Sequence, residues 1–340
     1  MRKTFHYILG MTVSVVAGLG FSVRPFFYTT VAAESKEVYI GGVTAGFSLS
    51  TGGAQVIGLC DVVTDQGACS PAKIGGIQPG DLLKKAAGIR ISKIGDLNEV
   101  LSKNKEKTME IELVRGEKEL VLTVRPVKDQ ATGKYKIGVL IRDSVSGIGT
   151  VTYIQKDGKR FGSLGHAVCD ESKKELGIGD GAVYSCSIVG VNKGIRGRAG
   201  ELRGMFLNGE TLGVADKICD CGIYGTVSDD YDLSGFLTAK TAVISEVKIG
   251  SAYIYSTVGG VFPKKYSVEI VKVDKNAKGN KNFVVKITDK ELISETGGIV
   301  QGMSGSPIMQ GDKMIGAITH VFLNDPTRGY GIDINTMLKQ

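Results

Sequence analysis

Short apolar runs, many of them β-branched, recur between glycine-rich and polar breaks along almost the whole chain. Runs of this length with close turns predict strands rather than helices. Residues 37–40 read as a first strand, 44–49 as a loop, and 54–59, after Gly52-Gly53, as an apolar strand. Another strand lies around 87–91 and runs up to Ile94-Gly95-Asp96. There the period changes: Leu97, Val100 and Leu101 fall on one face of a helix that Asp96 caps. Alternation resumes in 109–115 and 119–125, joined by Gly116-Glu117-Lys118. The polar, turn-rich residues 127–133 predict a linker. Further strands are expected at 137–141, 148–154, 160–164, 183–189, 223–227, 241–247, 252–258, 266–273, 283–288 and 313–320, with one helix at 334–339. Strand and helix nowhere alternate regularly, which disfavours a doubly wound sheet. The expectation is a mainly β chain with closed antiparallel barrels.

The first 33 residues depart from this pattern. Arg2 and Lys3 precede an uncharged segment, 7–23, which Arg24 ends, and small residues follow at Val31-Ala32-Ala33. An export signal or a short membrane segment with its positive end inside is expected, with the uncleaved anchor preferred. Its length sits at the lower limit for spanning, roughly 17 residues. Either reading puts the body of the protein outside the cytoplasm. Composition agrees with a folded, turn-rich β protein: 42% hydrophobic and 23% charged residues, 48 glycines and no tryptophan. The net charge of +7 rests on scattered lysines without interleaved aromatics, so a solvated surface is expected and no nucleic-acid partner. Six cysteines include no CxxC pair, so zinc is disfavoured and neither metal nor other cofactor is expected. Cys219 and Cys221 are too close to bridge easily; reduced buried thiols and a disulfide framework both stay open.

Residues 72–83, with Gly76-Ile77 and Gly80-Asp81-Leu82-Leu83, followed by the helix from Asp96, resemble a PDZ domain of the kind found in bacterial proteases. That resemblance covers residues 35–128. It implies a carboxylate-binding loop at Gly46, Phe47, Ser48 and Leu49, whose backbone N–H groups would hold a peptide C-terminus while the peptide adds a strand to the sheet. The peptide could come from a partner or from the chain's own N-terminal segment.

Chemistry concentrates further on. In Gly302-Met303-Ser304-Gly305-Ser306-Pro307 two glycines flank a serine just ahead of an apolar run. This suits a nucleophile held in the open beside unhindered N–H groups, although Gly/Ser turns are also common in β proteins. A serine hydroxyl needs a base with a pKa near 7. The chain has three histidines; His6 lies in the leading segment, which leaves His166 and His320. His166 closes a strand between small residues, and the order histidine then serine is that of chymotrypsin-like proteases. Their serine loop also resembles residues 302–307. Ser304 is preferred to Ser306, because its own N–H and that of Gly302 would then form the oxyanion hole, while Ser306 would point into the next strand. The strand with Thr319, His320 and Val321 is placed to bind substrate backbone, His320 as a cleft wall.

Residues 296–308, residues 316–326 and Leu164-Gly165-His166 resemble the stage IV sporulation protein B family, PDZ-containing serine peptidases of endospore-forming bacteria. The resemblance covers nearly the whole chain. It implies a membrane or signal segment at 1–33, a PDZ domain at 35–128, and a chymotrypsin-like double β-barrel peptidase domain at 135–340. Ser304 and His166 match the family's catalytic serine and histidine, and Asp289 its acidic residue. Asp289 also reads as a helix N-cap. Asp170, Asp216 and Asp220 remain alternatives, as does a serine–histidine dyad. Family members work between the two membranes around the forespore, where they cleave themselves and a membrane-bound regulator. They thereby signal activation of a late sigma factor in the mother cell. A PDZ scaffold without catalysis, binding a membrane partner, is the alternative.

Overall fold

The computed structural model describes residues 35–168, 181–277 and 279–340. The expected leader, Cys169 and the candidate Asp170 lie outside the described residues. Among those described, no helix is long and apolar enough to cross a membrane.

Beyond β1 (Glu37–Ile40), the strand β2 (Thr44–Leu59) runs unbroken for 16 residues and serves two cores. Ala45, Phe47 and Leu49 enter one; Ala54 and Val56 enter another. Gly52-Gly53 reads as a break in the sequence, yet both glycines continue the strand. A Cβ on Gly53 would lie 2.6 Å from the Leu83 carbonyl oxygen, so the glycine is what lets the neighbouring strand cross there.

The second of these cores gathers the next stretch of chain. A hairpin of β3 (Val62–Thr64) and β4 (Gly67–Cys69) leads to the single turn α1 (Pro71–Ile74). Then follow β5 (Leu82–Ala86), β6 (Ile89–Arg90), α2 (Ile94–Asn104), and the hairpin of β7 (Met109–Arg115) and β8 (Lys118–Val124). Helix α2 buries Leu97, Val100 and Leu101, as its period requires, but starts two residues earlier than the sequence suggested. Asp96 caps it from within the first turn, accepting the N–H groups of Ser92 and Lys93 at 2.8 and 3.0 Å. Buried Asp81 is gripped through both oxygens by Arg115, at 2.7 and 2.8 Å. The residues expected as a linker start within one strand and end just before another of a short pair, β9 (Val127–Lys128) and β10 (Tyr135–Lys136).

β11 (Val139–Gln155) is the second long strand and lies antiparallel to β2 from Val139↔Leu59 to Thr150↔Thr44. The two strands therefore pass together from the N-terminal core into the next one. This changes the expected division at 35–128 and 135–340: β1 and the first half of β2 sit with the C-terminal barrels, and the start of β11 pairs with the N-terminal sheet.

β12 (Arg160–Ser163), β13 (Gly181–Asn192), β14 (Glu201–Cys219) and β15 (Gly222–Val227) close a ring with the shared strands. Its order is β2-β13-β14-β15-β12-β11 and back to β2, around Phe47, Val151, Phe161 and Ile223. β16 (Thr238–Thr241) returns beside β1. A second ring then forms from β17 (Gly250–Ser256), β18 (Lys264–Val273), β19 (Phe283–Ile287), β20 (Pro307–Gln310), β21 (Lys313–Phe322) and β22 (Asp325–Asp333). It closes in the order β17-β18-β19-β22-β21-β20, around Ile254, Phe283, Val285 and Ile318. α3 (Lys290–Thr296) precedes β20, and α4 (Ile334–Leu338) packs beside Tyr153, Met309 and Met314. The result is two closed six-stranded barrels, bridged by β1 and β16. The expected strand at 241–247 is the end of β16 followed by a 3-10 turn at Ile244–Glu246.

Candidate active site

The serine loop lies at the mouth between the barrels, and hydrogen bonds to its own main chain fix it there. Gly302 and Gly305 have φ of +97° and +96°, which favours glycine at both positions. β11 of the first barrel holds the loop across the gap. Thr150 Oγ1 donates to the Gly302 carbonyl, Thr152 Oγ1 to the Gly305 carbonyl, both at 2.8 Å, and Thr150 N–H to the Ser304 carbonyl at 3.0 Å. The N–H groups of Gly302 and Ser304 donate to no acceptor among the described residues. Two adjacent free donors beside a serine are what an oxyanion hole consists of.

Ser304 is half-buried and its hydroxyl donates to the Thr319 carbonyl at 2.7 Å. Ser306 is fully buried, and its hydroxyl donates to Ser256 Oγ at 3.0 Å, away from the cleft.

His166 is presented by a tight three-residue turn after β12. Gly165 N–H closes on the Ser163 carbonyl at 2.8 Å, with Leu164 at φ +63° and Gly165 at φ +70°. A left-handed leucine is strained, and such strain is concentrated at functional sites. His166 Nδ1 lies 2.7 Å from the Ala167 carbonyl oxygen, which can only accept, so Nδ1 carries the proton and Nε2 keeps its lone pair. That is the tautomer of a general base. Burial holds its pKa below the ordinary 6.5, partly offset by the Ala167 carbonyl. The His320 ring packs against it, centroids 4.9 Å apart and tilted by 42°. Burial, His166 and Lys281 push His320 down to about 4. Charge on the His166 ring thus disfavours charge on His320.

His166 and Ser304 line one cleft of about 310 Å³, together with Phe47, Leu49, Ile148, Leu164 and Ile223. No carboxylate among the described residues bonds to His166. Asp289, expected as the acid, is instead the N-cap of α3: it accepts Leu292 N–H at 3.0 Å and Ser267 N–H at 3.3 Å. Its spacing before Ser304 is used to start the helix leading to the serine loop. Asp216 is held through both oxygens by Arg160 at 3.0 and 2.9 Å, and Asp220 is exposed in the turn after β14.

The loop expected at Gly46, Phe47, Ser48 and Leu49 is not a loop. These residues are the interior of β2, paired with β11 on one edge and β13 on the other, so their N–H groups are not free for a peptide carboxylate. The loop was implied by the PDZ resemblance, but the strand partners lie about a hundred residues away in sequence, beyond local reading. Phe47 and Leu49 reach the cleft from below, a role sequence reasoning missed. Thr319 is buried in β21, His320 keeps one side open to solvent while its ring packs against His166, and Val321 is half-buried against the second barrel's core. Cys60, Cys69, Cys186, Cys219 and Cys221 are free thiols. Burial raises the pKa of Cys186 and takes that of Cys221 to about 12, which removes them as nucleophiles at neutral pH. The described residues bring one group of possible metal donors together, Cys219, Asp220 and Cys221, with ligand atoms within 4.8 Å of one another.

Among solved structures, the chain is similar to the PDZ domain of the SdrC-like protein from Listeria monocytogenes, at 21% identity and TM-score 0.22. The match covers 26% of this chain and 87% of that one. No curated protein matches. The family model described as SpoIVB peptidase S55 matches residues 133–338, which span both barrels and carry both His166 and Ser304. More than half of the chain is thereby accounted for: it belongs to the SpoIVB peptidase S55 family, and is a serine peptidase of sporulation that hydrolyses peptide bonds.

Proposed function

We propose that Ser304 is the nucleophile and His166 the general base of an endopeptidase that works outside the cytoplasm, tethered by its N-terminal segment. The observation that carries the reading is that both side chains line one cleft, beside N–H groups of Gly302 and Ser304 that meet no acceptor among the described residues. In the resting state the serine hydroxyl is spent on the Thr319 carbonyl. Rotation about χ1 would release it toward His166 Nε2. Oγ then bonds to the substrate carbonyl carbon while Nε2 takes its proton, and the Gly302 and Ser304 N–H groups receive the oxyanion. The carbon–nitrogen bond breaks, His166 returns the proton to the leaving amine, and water releases the acyl group by the same steps.

The substrates we propose are the chain itself and a membrane-bound regulator whose cleavage leads to activation of a late mother-cell sigma factor, in the space between the forespore and mother-cell membranes. The N-terminal core would serve as a PDZ-type peptide-binding module. The serine's engagement with Thr319 favours a second reading, a scaffold that binds a membrane partner without cutting it. Ser304→Ala separates the two. Loss of about 1,000-fold or more in peptide hydrolysis, with loss of fluorophosphonate labelling, supports the peptidase. Self-processing at the wild-type rate in this variant would leave the scaffold.

A further inference from the structure

We infer that the cleft beside Ser304 is a leaving-group subsite that selects peptides with an aliphatic or aromatic side chain immediately after the cut bond. This rests on Ser304 and His166 acting as proposed above. The side of the nucleophile to which the cleft belongs follows from proton chemistry. The departing amine must collect its proton from His166, so the residue it carries lies on the His166 side of the oxyanion donors. The cleft touches His166, Gly302 and Ser304 and includes no residue of β21, the strand on the other side of the hydroxyl. It therefore faces the departing half of the peptide.

Its walls are apolar. Phe47, Leu49 and Ile223 form the buried floor, and Leu164 and Ile148 the sides; among the described residues no lysine, arginine, aspartate or glutamate contributes. Among the described residues, polar side chains occur at the catalytic edge alone, from Gln301, Ser304 and His166. A volume of about 310 Å³ accommodates a large side chain, and a charged one would lose its hydration there without a partner. The cleft continues past Gly147, Ile148, Gln301 and Gly302 into an adjoining one of about 350 Å³. Along this course the edge of β11 at residues 146–148 faces away from β2 and pairs with no other described strand. The next residues of the departing peptide can add there as a strand, which also sets the register that delivers the side chain to the floor.

The test profiles cleavage of a random oligopeptide library by the full chain, alongside labelling of Ser304 with a fluorophosphonate, which places nothing in this subsite. The expected result is enrichment of leucine, isoleucine, methionine or phenylalanine directly after the cut, by about tenfold or more over alanine, and depletion of aspartate and lysine. Leu49→Ala should move the preference to larger side chains while the labelling rate stays within about twofold, because a change confined to one pocket alters discrimination between side chains without touching the reacting groups. Should Leu49→Ala fail to fold, Ile148→Ala at the half-buried rim makes the same comparison. Labelled wild-type enzyme that cuts without preference at this position, or with a preference neither substitution moves, overturns the subsite and leaves the peptidase reading intact. Absence of both labelling and cleavage overturns the peptidase reading, and the subsite with it.

Discussion

At residue 306 a buried hydroxyl donates to Ser256; two positions earlier a half-buried hydroxyl looks into the cleft. Ser306→Ala should cost about 1 kcal/mol of stability, since it strands Ser256 Oγ, and leave fluorophosphonate labelling intact. Asp289→Ala should behave alike, losing about 1 kcal/mol as a helix cap while the acylation rate stays near wild type. Chemical denaturation beside labelling kinetics checks both. The histidines set the pH response. Burial disfavours the His166 imidazolium, so its neutral form survives below the ordinary 6.5, and kcat/KM should fall only as pH drops through a midpoint under that value. The same depression acts on stability. Between 6.5 and about 4 the unfolded chain takes up protons that folded His320 refuses, so Tm should decline across that window on acidification, and less steeply in His320→Gln. The serine loop and His166 were legible because small residues around a lone Ser or His are local signals. The partner of Ser304 was not, because a backbone carbonyl such as that of Thr319 leaves no mark in composition.

Among the elements, β11 decides where Ser304 sits. Thr150 and Thr152, fully buried, spend their hydroxyls on the carbonyls of Gly302 and Gly305. Thr150→Val keeps the shape and removes one of these bonds while leaving the Gly302 carbonyl unpaired. It should lower stability by about 1–3 kcal/mol and lower kcat more than it raises KM, because the loop carrying the oxyanion donors loosens. Calorimetry and steady-state kinetics on the same preparation test this. Strands with β-branched alternation, such as β18 and β19, followed from the sequence closely. β14 and β22 did not. β14 carries Glu201, Arg203, Glu210 and Lys217 among its glycines, and β22 opens on Asp325-Pro326 and contains two glycines. Both owe their strand state to neighbours already in the barrels, a tertiary cause that propensity does not register.

For the molecule as a whole, the shared strands join what the sequence separates. A polar linker was expected at 127–133 between two domains, but β2 and β11 cross from the N-terminal core into the first barrel as one hydrogen-bonded ribbon. Melting one part exposes half of each strand in the other, so the described unit, Ser35–Gln340, should unfold in one transition. Leu83→Ala, in the N-terminal core far along the chain from His166, should lower that single transition by about 2–5 kcal/mol rather than split it. Circular dichroism and hydrogen exchange followed together show whether the cores part company.

The contacts around the catalytic turn carry a consequence for tolerance to change. A Cβ on Gly305 would lie 2.1 Å from the Thr150 carbonyl oxygen, and one on Gly222 2.1 Å from that of Ser163, the residue opening the turn that presents His166. One on Gly165 would press on Thr319 and Ile332 at 2.9 Å. At Gly305 and Gly222 backbone thus touches backbone, and at Gly165 backbone touches the Thr319 and Ile332 side chains, so the segments carrying His166 and Ser304 have little room to shift. Mutational drift in the barrel interiors can erode the protein's lifetime without detuning its chemistry, whereas a single methyl group at any of these three glycines would disturb both.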